Sequence, residues 1–122
     1  MYAQTVYNAK KNTTAVRNVR ANDFYQAIKR TENPQIIDIR TPQEYRQGHI
    51  KGAILTNFYD RLFAQNIANA NLNTSKPIFV YCRSGNRSSH AIPIFQKLGF
   101  KHIIHLVYGI NDWKASQLPL EN

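Results

Sequence analysis

The sequence predicts an α/β domain: a mostly parallel sheet with helices on both faces. Five short strand-like runs recur along the chain, and each is followed by a helical segment or a turn into one. No repeat and no low-complexity segment interrupts the alternation. Short strands each paired with a crossover of this kind belong to sheets buried on both sides.

Residues 1–15 are polar and form an expected arm. Residues 16–19 make a weak first strand, and Asn22 is the expected cap of a helix in which Phe24, Ala27 and Ile28 share one face. Glu32, Asn33 and Pro34 break that helix. The run QIIDI at 35–39 is the second strand. TPQE at 41–44 then forms a capping box, in which Thr41 caps, Pro42 takes the first turn and Glu44 reaches back, so a short helix ends near Gly48. Residues 53–56 give a third strand, and 59–70 a helix with Leu62, Phe63 and Ile67 inward. Pro77 introduces the fourth strand at 78–81. The next helix spans 88–98, with Ile92, Phe95 and Leu98 inward, Pro93 within its first two turns, and Gly99 as its stop. HIIHLV at 102–107 is the fifth strand, followed by a short helix at 111–116.

A chain of 122 residues, 43% of them hydrophobic, is enough for one domain with one core, burying about two-thirds of its unfolded surface. One cysteine excludes an internal disulfide and a two-cysteine redox relay. No run approaches the ~18 apolar residues of a membrane span, and the N-terminus lacks the continuous apolar core of a leader. The expectation is a soluble, cytoplasmic chain, or a periplasmic one had a signal peptide been removed ahead of residue 1. Sixteen Lys and Arg against seven Asp and Glu give a net charge of +9, which draws anions. Residues 61–111 contain no acidic residue but include Arg61, Lys76, Arg83, Arg87, Lys97 and Lys101. These bases are scattered and no base-reading motif is present, so nucleic acid is not an expected partner.

The single thiol lies in this basic half, in the stretch IFVYCRSGNRSSHAIPIFQKLGF at 78–100. Cys82 is the first residue beyond a strand, where open α/β sheets place their sites. A lone cysteine is more often a buried hydrophobe than a reagent. Here, however, the helix behind the corner presents free N–H groups, Gly85 lets successive amides converge into an anion nest, and Arg83 and Arg87 add two charges. Each of these favours thiolate, the nucleophilic form.

CRSGNRS at 82–88, DIRTPQEYRQGHIKGAI at 38–54 and GINDW at 109–113 occur in this order, and together they make the chain resemble the single-domain rhodaneses, a family of sulfurtransferases. The resemblance covers residues 16–117, leaving 118–122 as a tail. Where the family often has Gly-Gly before the last helix, this chain has Tyr108 and Gly109. The resemblance implies a five-stranded sheet in the order 1-5-4-2-3, with Asp38 and Arg40 ending near the loop. Both are expected mainly as scaffold, Arg40 pairing with Glu44 four residues on and Asp38 accepting backbone hydrogen bonds near the loop, with a catalytic acid role for Asp38 as the lesser alternative. His49 resembles the structural histidine of the family, and Trp113 packs a core edge. His102 and His105, three apart on a strand, face opposite sides, so no metal is expected.

The resemblance also implies a mechanism. Thiolate Cys82 takes the outer sulfur of an anionic donor such as thiosulfate, with Arg83, Ser84, Gly85, Asn86, Arg87 and Ser88 as the anion-binding loop. The persulfide then passes its sulfur to cyanide, a thiol or a protein cysteine, without a cofactor. The alternative is a phosphatase or arsenate reductase, since dual-specificity phosphatases share the fold and the cysteine-arginine loop. Theirs places five residues between the two; here Arg83–Asn86 are four. A smaller ring suits a sulfur atom better than a phosphoryl group, and residues 61–111 offer no carboxylic acid for a leaving oxygen.

Overall fold

A computed structural model describes residues 13–122; the expected polar arm lies, up to residue 12, outside the described residues. Five strands, β1 (Ala15–Val19), β2 (Gln35–Asp38), β3 (Ala53–Leu55), β4 (Ile78–Tyr81) and β5 (His102–Leu106), form one sheet in the order β1-β5-β4-β2-β3, every pair parallel. Between and after them run α1 (Ala21–Lys29), α2 (Pro42–Arg46), α3 (Phe63–Ala68), α4 (Asn86–Lys97) and α5 (Gly109–Ala115). The fold is the expected α/β architecture, and the winding direction reverses beside β4.

Alternation along the strands divides the interior into two cores. On one face Ile36, Phe79, Tyr81, Ile104 and Leu106 pack with Phe24 of α1 and Ile110 and Trp113 of α5. On the other, Ile37, Val80, Cys82 and Ile103 pack with Phe63 and Ile67 of α3 and Ala91 and Phe95 of α4. Edge-to-face ring pairs, Phe24 on Phe79 and Phe63 on Phe95, anchor the two sides.

Three local expectations need correction. Asn22 does not cap α1: Arg20 holds the cap position without a side-chain bond, and Asp112 of α5 supplies the missing acceptor, taking the Ala21 N–H at 2.9 Å and both arms of Arg20 at 3.0 Å. Residues 59–62 are a turn rather than helix, because Asp60 Oδ1 accepts the Leu62 N–H. Leu62 therefore stays 49% exposed while Phe63 and Ile67 turn inward. Helices α4 and α5 each start two residues earlier than expected, at Asn86 and Gly109, and Pro93 is accommodated within α4. The capping box is present as read: Glu44 N–H donates to Thr41 Oγ1 at 3.2 Å and Thr41 N–H to Glu44 Oε1 at 3.0 Å.

Candidate functional site: a sulfur cradled at the end of strand β4

The chain leaves β4 at Tyr81, closes a loop and enters α4 at Asn86. Gly85 is the N-cap of α4 with φ 105°, and it has no side chain with which to cap. The sulfur of Cys82 occupies that role. Gly85 N–H and Ser88 N–H donate to Sγ at 3.2 and 3.4 Å, and Ser88 Oγ lies at 3.3 Å. Helix N-termini leave their first amides unpaired and partly positive, so these groups favour negative charge on the sulfur. The loop carbonyls are drawn the opposite way: Ile110 and Asn111 N–H of α5 donate to Cys82 O (2.9 Å) and Arg83 O (3.1 Å). Gly109 is needed for that approach, since a Cβ there would overlap the Arg83 carbonyl. Cys82 is 1% exposed, so a reactant has to enter the loop to meet the thiol.

The cations divide. Arg83, Ser84 and Asn86 are exposed on the rim, and the Arg83 side chain has no partner among the described residues. Arg87 instead makes a bidentate pair with Glu44 of α2, at 2.8 and 2.9 Å, beneath the Tyr59 ring. The expected Arg40–Glu44 pair is thus replaced. Thr41 is the cap of α2, so Arg40 precedes the helix and the four-residue rule does not reach it. The Arg87 guanidinium beside it lowers the Glu44 carboxyl from 4.5 to about 2. A carboxyl depressed on folding contributes stability that is complete above its ordinary value and lost as pH falls from about 4.5 through about 2. Melting temperature should therefore fall more steeply between pH 5 and pH 3 in the native chain than in Glu44→Gln; parallel curves would show that the pair contributes nothing.

Arg40 pairs with Asp38 instead, both buried, at 2.7 and 3.0 Å, and reaches Gly48 O at 2.8 Å. Asp38 also accepts the Tyr81 hydroxyl at 2.5 Å and the Arg40 N–H at 3.0 Å. It takes no hydrogen bond from the 82–88 backbone, because it shares the face of Ile36 and Tyr81 while Cys82 lies on the other. Burial beside this carboxylate raises the Tyr81 phenol above its ordinary value. His49 stacks on Tyr45 at 3.7 Å and its backbone bridges Glu121. Trp113 is buried, with Nε1–H donating to Pro119 O at 2.9 Å.

One feature goes beyond the sequence reading. His105, buried on β5, places Nε2 2.6 Å from Ser88 Oγ and Nδ1 2.8 Å from Asn18 Oδ1. Burial lowers its pKa. His102 is exposed on the opposite face, and among the described residues no three His, Cys, Asp or Glu gather as a metal site. A cavity of about 600 Å³, lined by Tyr25, Ile36, Ile50, Trp113 and Leu120 among others, contains no residue of the 82–88 loop. The candidate site is an anion cradle separate from that apolar hollow. No helix among the described residues is long and apolar enough to cross a membrane.

Comparison with known proteins agrees with this geometry. The thiosulfate sulfurtransferase GlpE of Pseudomonas entomophila is 34% identical over 87 residues, which are 71% of this chain and 76% of that protein. YrkF of Bacillus subtilis is 30% identical over 106 residues, 87% of this chain, which spans only 55% of that longer protein. The crystal structure of the Alr3790 protein from Anabaena superposes with a TM-score of 0.74 at 28% identity, covering 85% of this chain and 91% of that one. Residues 20–116 match the Rhodanese-like domain as a family. With that match over most of its length and a solved fold superposing on 85% of it, this chain belongs to the rhodanese-like domain family.

Proposed function

We propose that the chain is a rhodanese-type sulfurtransferase with Cys82 as its nucleophile. The observation that carries this reading is the convergence of Gly85 N–H, Ser88 N–H and Ser88 Oγ on Cys82 Sγ, within 3.2 to 3.4 Å. The thiosulfate sulfurtransferase activity named for GlpE supports it. The Cys82 thiolate attacks the outer sulfur of thiosulfate; the S–S bond of the donor breaks and its electron pair leaves with sulfite. Sulfite departs as an anion, so no proton donor is needed. Cyanide in an assay, or a thiol or protein cysteine in the cell, then attacks the terminal sulfur, and Cys82 leaves as a thiolate held by the same amides. Asp38, Arg40, Glu44, His49, Gly109 and Trp113 act as scaffold.

Incubation with thiosulfate should add the mass of one sulfur atom, and cyanide should then remove it as thiocyanate. The same protein should hydrolyse aryl phosphates at no more than a trace. Four residues separate Cys82 from Arg87, and Glu44, the carboxyl paired with Arg87, is held as an anion and donates no proton. Efficient phosphatase turnover that depends on Cys82 would overturn the assignment.

Donor capture is assigned to Arg83 first, because Arg87 reaches an anion only by sharing Glu44. Arg83→Ala should raise the thiosulfate concentration needed for half-maximal rate about tenfold, the worth of one charge-assisted hydrogen bond, and flatten its salt dependence. Glu44→Gln should lower that concentration by releasing Arg87. Unchanged kinetics in both variants would remove the electrostatic account of donor binding.

A further inference from the structure

Cys82 Sγ, Ser88 Oγ, His105 Nε2 and Asn18 Oδ1 form an unbroken line of polar contacts from the loop to the sheet edge, at 3.3, 2.6 and 2.8 Å. The line follows from the parallel register. Val80 and Asn18 flank His105 on the neighbouring strands, so His105 shares the face of Cys82, two residues beyond Val80. Asn18 Oδ1 is an acceptor only, which fixes the proton of neutral His105 on Nδ1 and leaves Nε2 as a lone pair. The Ser88 hydroxyl hydrogen has three acceptors in reach: Nε2 at 2.6 Å, Gly85 O at 3.2 Å and Sγ at 3.3 Å. The shortest is His105, which turns a Ser88 lone pair toward the thiol.

We propose that His105 is a positioning residue that receives the Cys82 proton through Ser88, so that the thiol ionises by passing its proton inward rather than to solvent. The S–H bond breaks, leaving its electron pair on sulfur, and an O–H bond forms on Ser88. The original Ser88 O–H breaks toward Nε2, where an N–H bond forms. Thiolate and imidazolium are then bridged by one hydroxyl, and no hydrogen bond of the line is lost.

The surrounding charges are few. Cys82 is faced by Arg87 of its own loop, paired with Glu44 of α2, while Arg83 is exposed on the rim. His105 is faced by Asn18 from β1, Val80 from β4 and Ser88 from α4, none charged; Arg17 and the Asp38–Arg40–Tyr81 group lie on the opposite face. Burial opposes a lone imidazolium there, and a thiolate across the Ser88 hydroxyl would offset that cost.

This inference deepens the sulfurtransferase reading and rests on it only in making the thiolate the reacting form. Its test requires no sulfur transfer, so either can fail without the other. The rate of Cys82 alkylation by iodoacetamide is followed from pH 5 to 9. His105→Asn, which keeps a polar partner for Ser88 but cannot titrate, should slow alkylation near pH 6.5 about tenfold by moving the profile up by about one pH unit. Ser88→Ala should do the same, and the double variant should lose no more than either. An unmoved profile in His105→Asn, or single effects that multiply in the double variant, would overturn the relay. Should His105→Asn not fold, nitrogen NMR of the imidazole decides. His105 should take up its proton at higher pH in the native chain than in Cys82→Ala; identical titrations would also overturn the relay.

Discussion

Replacing Cys82 with serine should give a folded protein that gains no sulfur from thiosulfate and forms no thiocyanate above background. The substitution keeps the size of a side chain that is 1% exposed, and a hydroxyl can accept the Gly85 and Ser88 amides that now point at Sγ. Stability should therefore change by about 1 kcal/mol or less. Chemistry should vanish, because the alcohol does not ionise near neutral pH and a persulfide needs sulfur. The comparison to make is intact mass after thiosulfate, alongside a thermal melt. A serine variant that melts normally and still transfers sulfur would mean that the loop binds the donor without Cys82 acting as nucleophile. A variant that unfolds would mean instead that the cysteine is a core residue, the ordinary fate of a lone thiol.

Much of this site is legible in the sequence because it is local. Cys82, Gly85 and the first turn of α4 lie within a few residues of one another, so a strand end, a glycine and a helix start suffice to bring amides onto a sulfur. The capping box is local too, and Thr41, Pro42 and Glu44 stand as read. The errors lie where a partner is distant or where the start of a helix is set too early. Helical spacing matches Arg40 to Glu44, but the helix starts after Arg40. Its true partner, Asp38, is two residues back on a strand end, and that of Glu44, Arg87, is 43 residues away. Asp112 capping α1 across 91 residues is invisible to any local rule. His105 does leave a signal: a polar residue between Ile104 and Leu106, on a strand next to β4, must be buried and must find a partner. Spacing from His102 speaks only against a metal. Register against β4 is needed to bring Ser88 to it.

The backbone at Gly85 carries the other large expectation. Gly85→Ala should both destabilise the chain and disable the loop, for two separable reasons. At φ 105° an L-residue is strained, which costs about 1–2 kcal/mol in the left-handed region. A Cβ at Gly85 would also overlap the carbonyl oxygen of Val107, and that oxygen has little room to retreat. Val107 N–H is bonded to Val19 O at 3.0 Å, and the next turn is fixed by the α5 amides on Cys82 O and Arg83 O. The loop would have to move, carrying the Gly85 and Ser88 amides away from Sγ. Gly52 provides the control, for it has φ 84° and a Cβ placed there would meet nothing within 4 Å, so Gly52→Ala suffers strain without overlap. Gly52→Ala should cost about 1 kcal/mol and leave sulfur transfer intact. Gly85→Ala should cost about 3 kcal/mol or more, lowering the melting temperature by roughly 10 °C or more, and reduce turnover at least ~10²-fold at temperatures where it remains folded. Equal melting temperatures and equal turnover in the two variants would show that the loop tolerates displacement, and that the close approach of Gly85 to Val107 does not position the sulfur's amides.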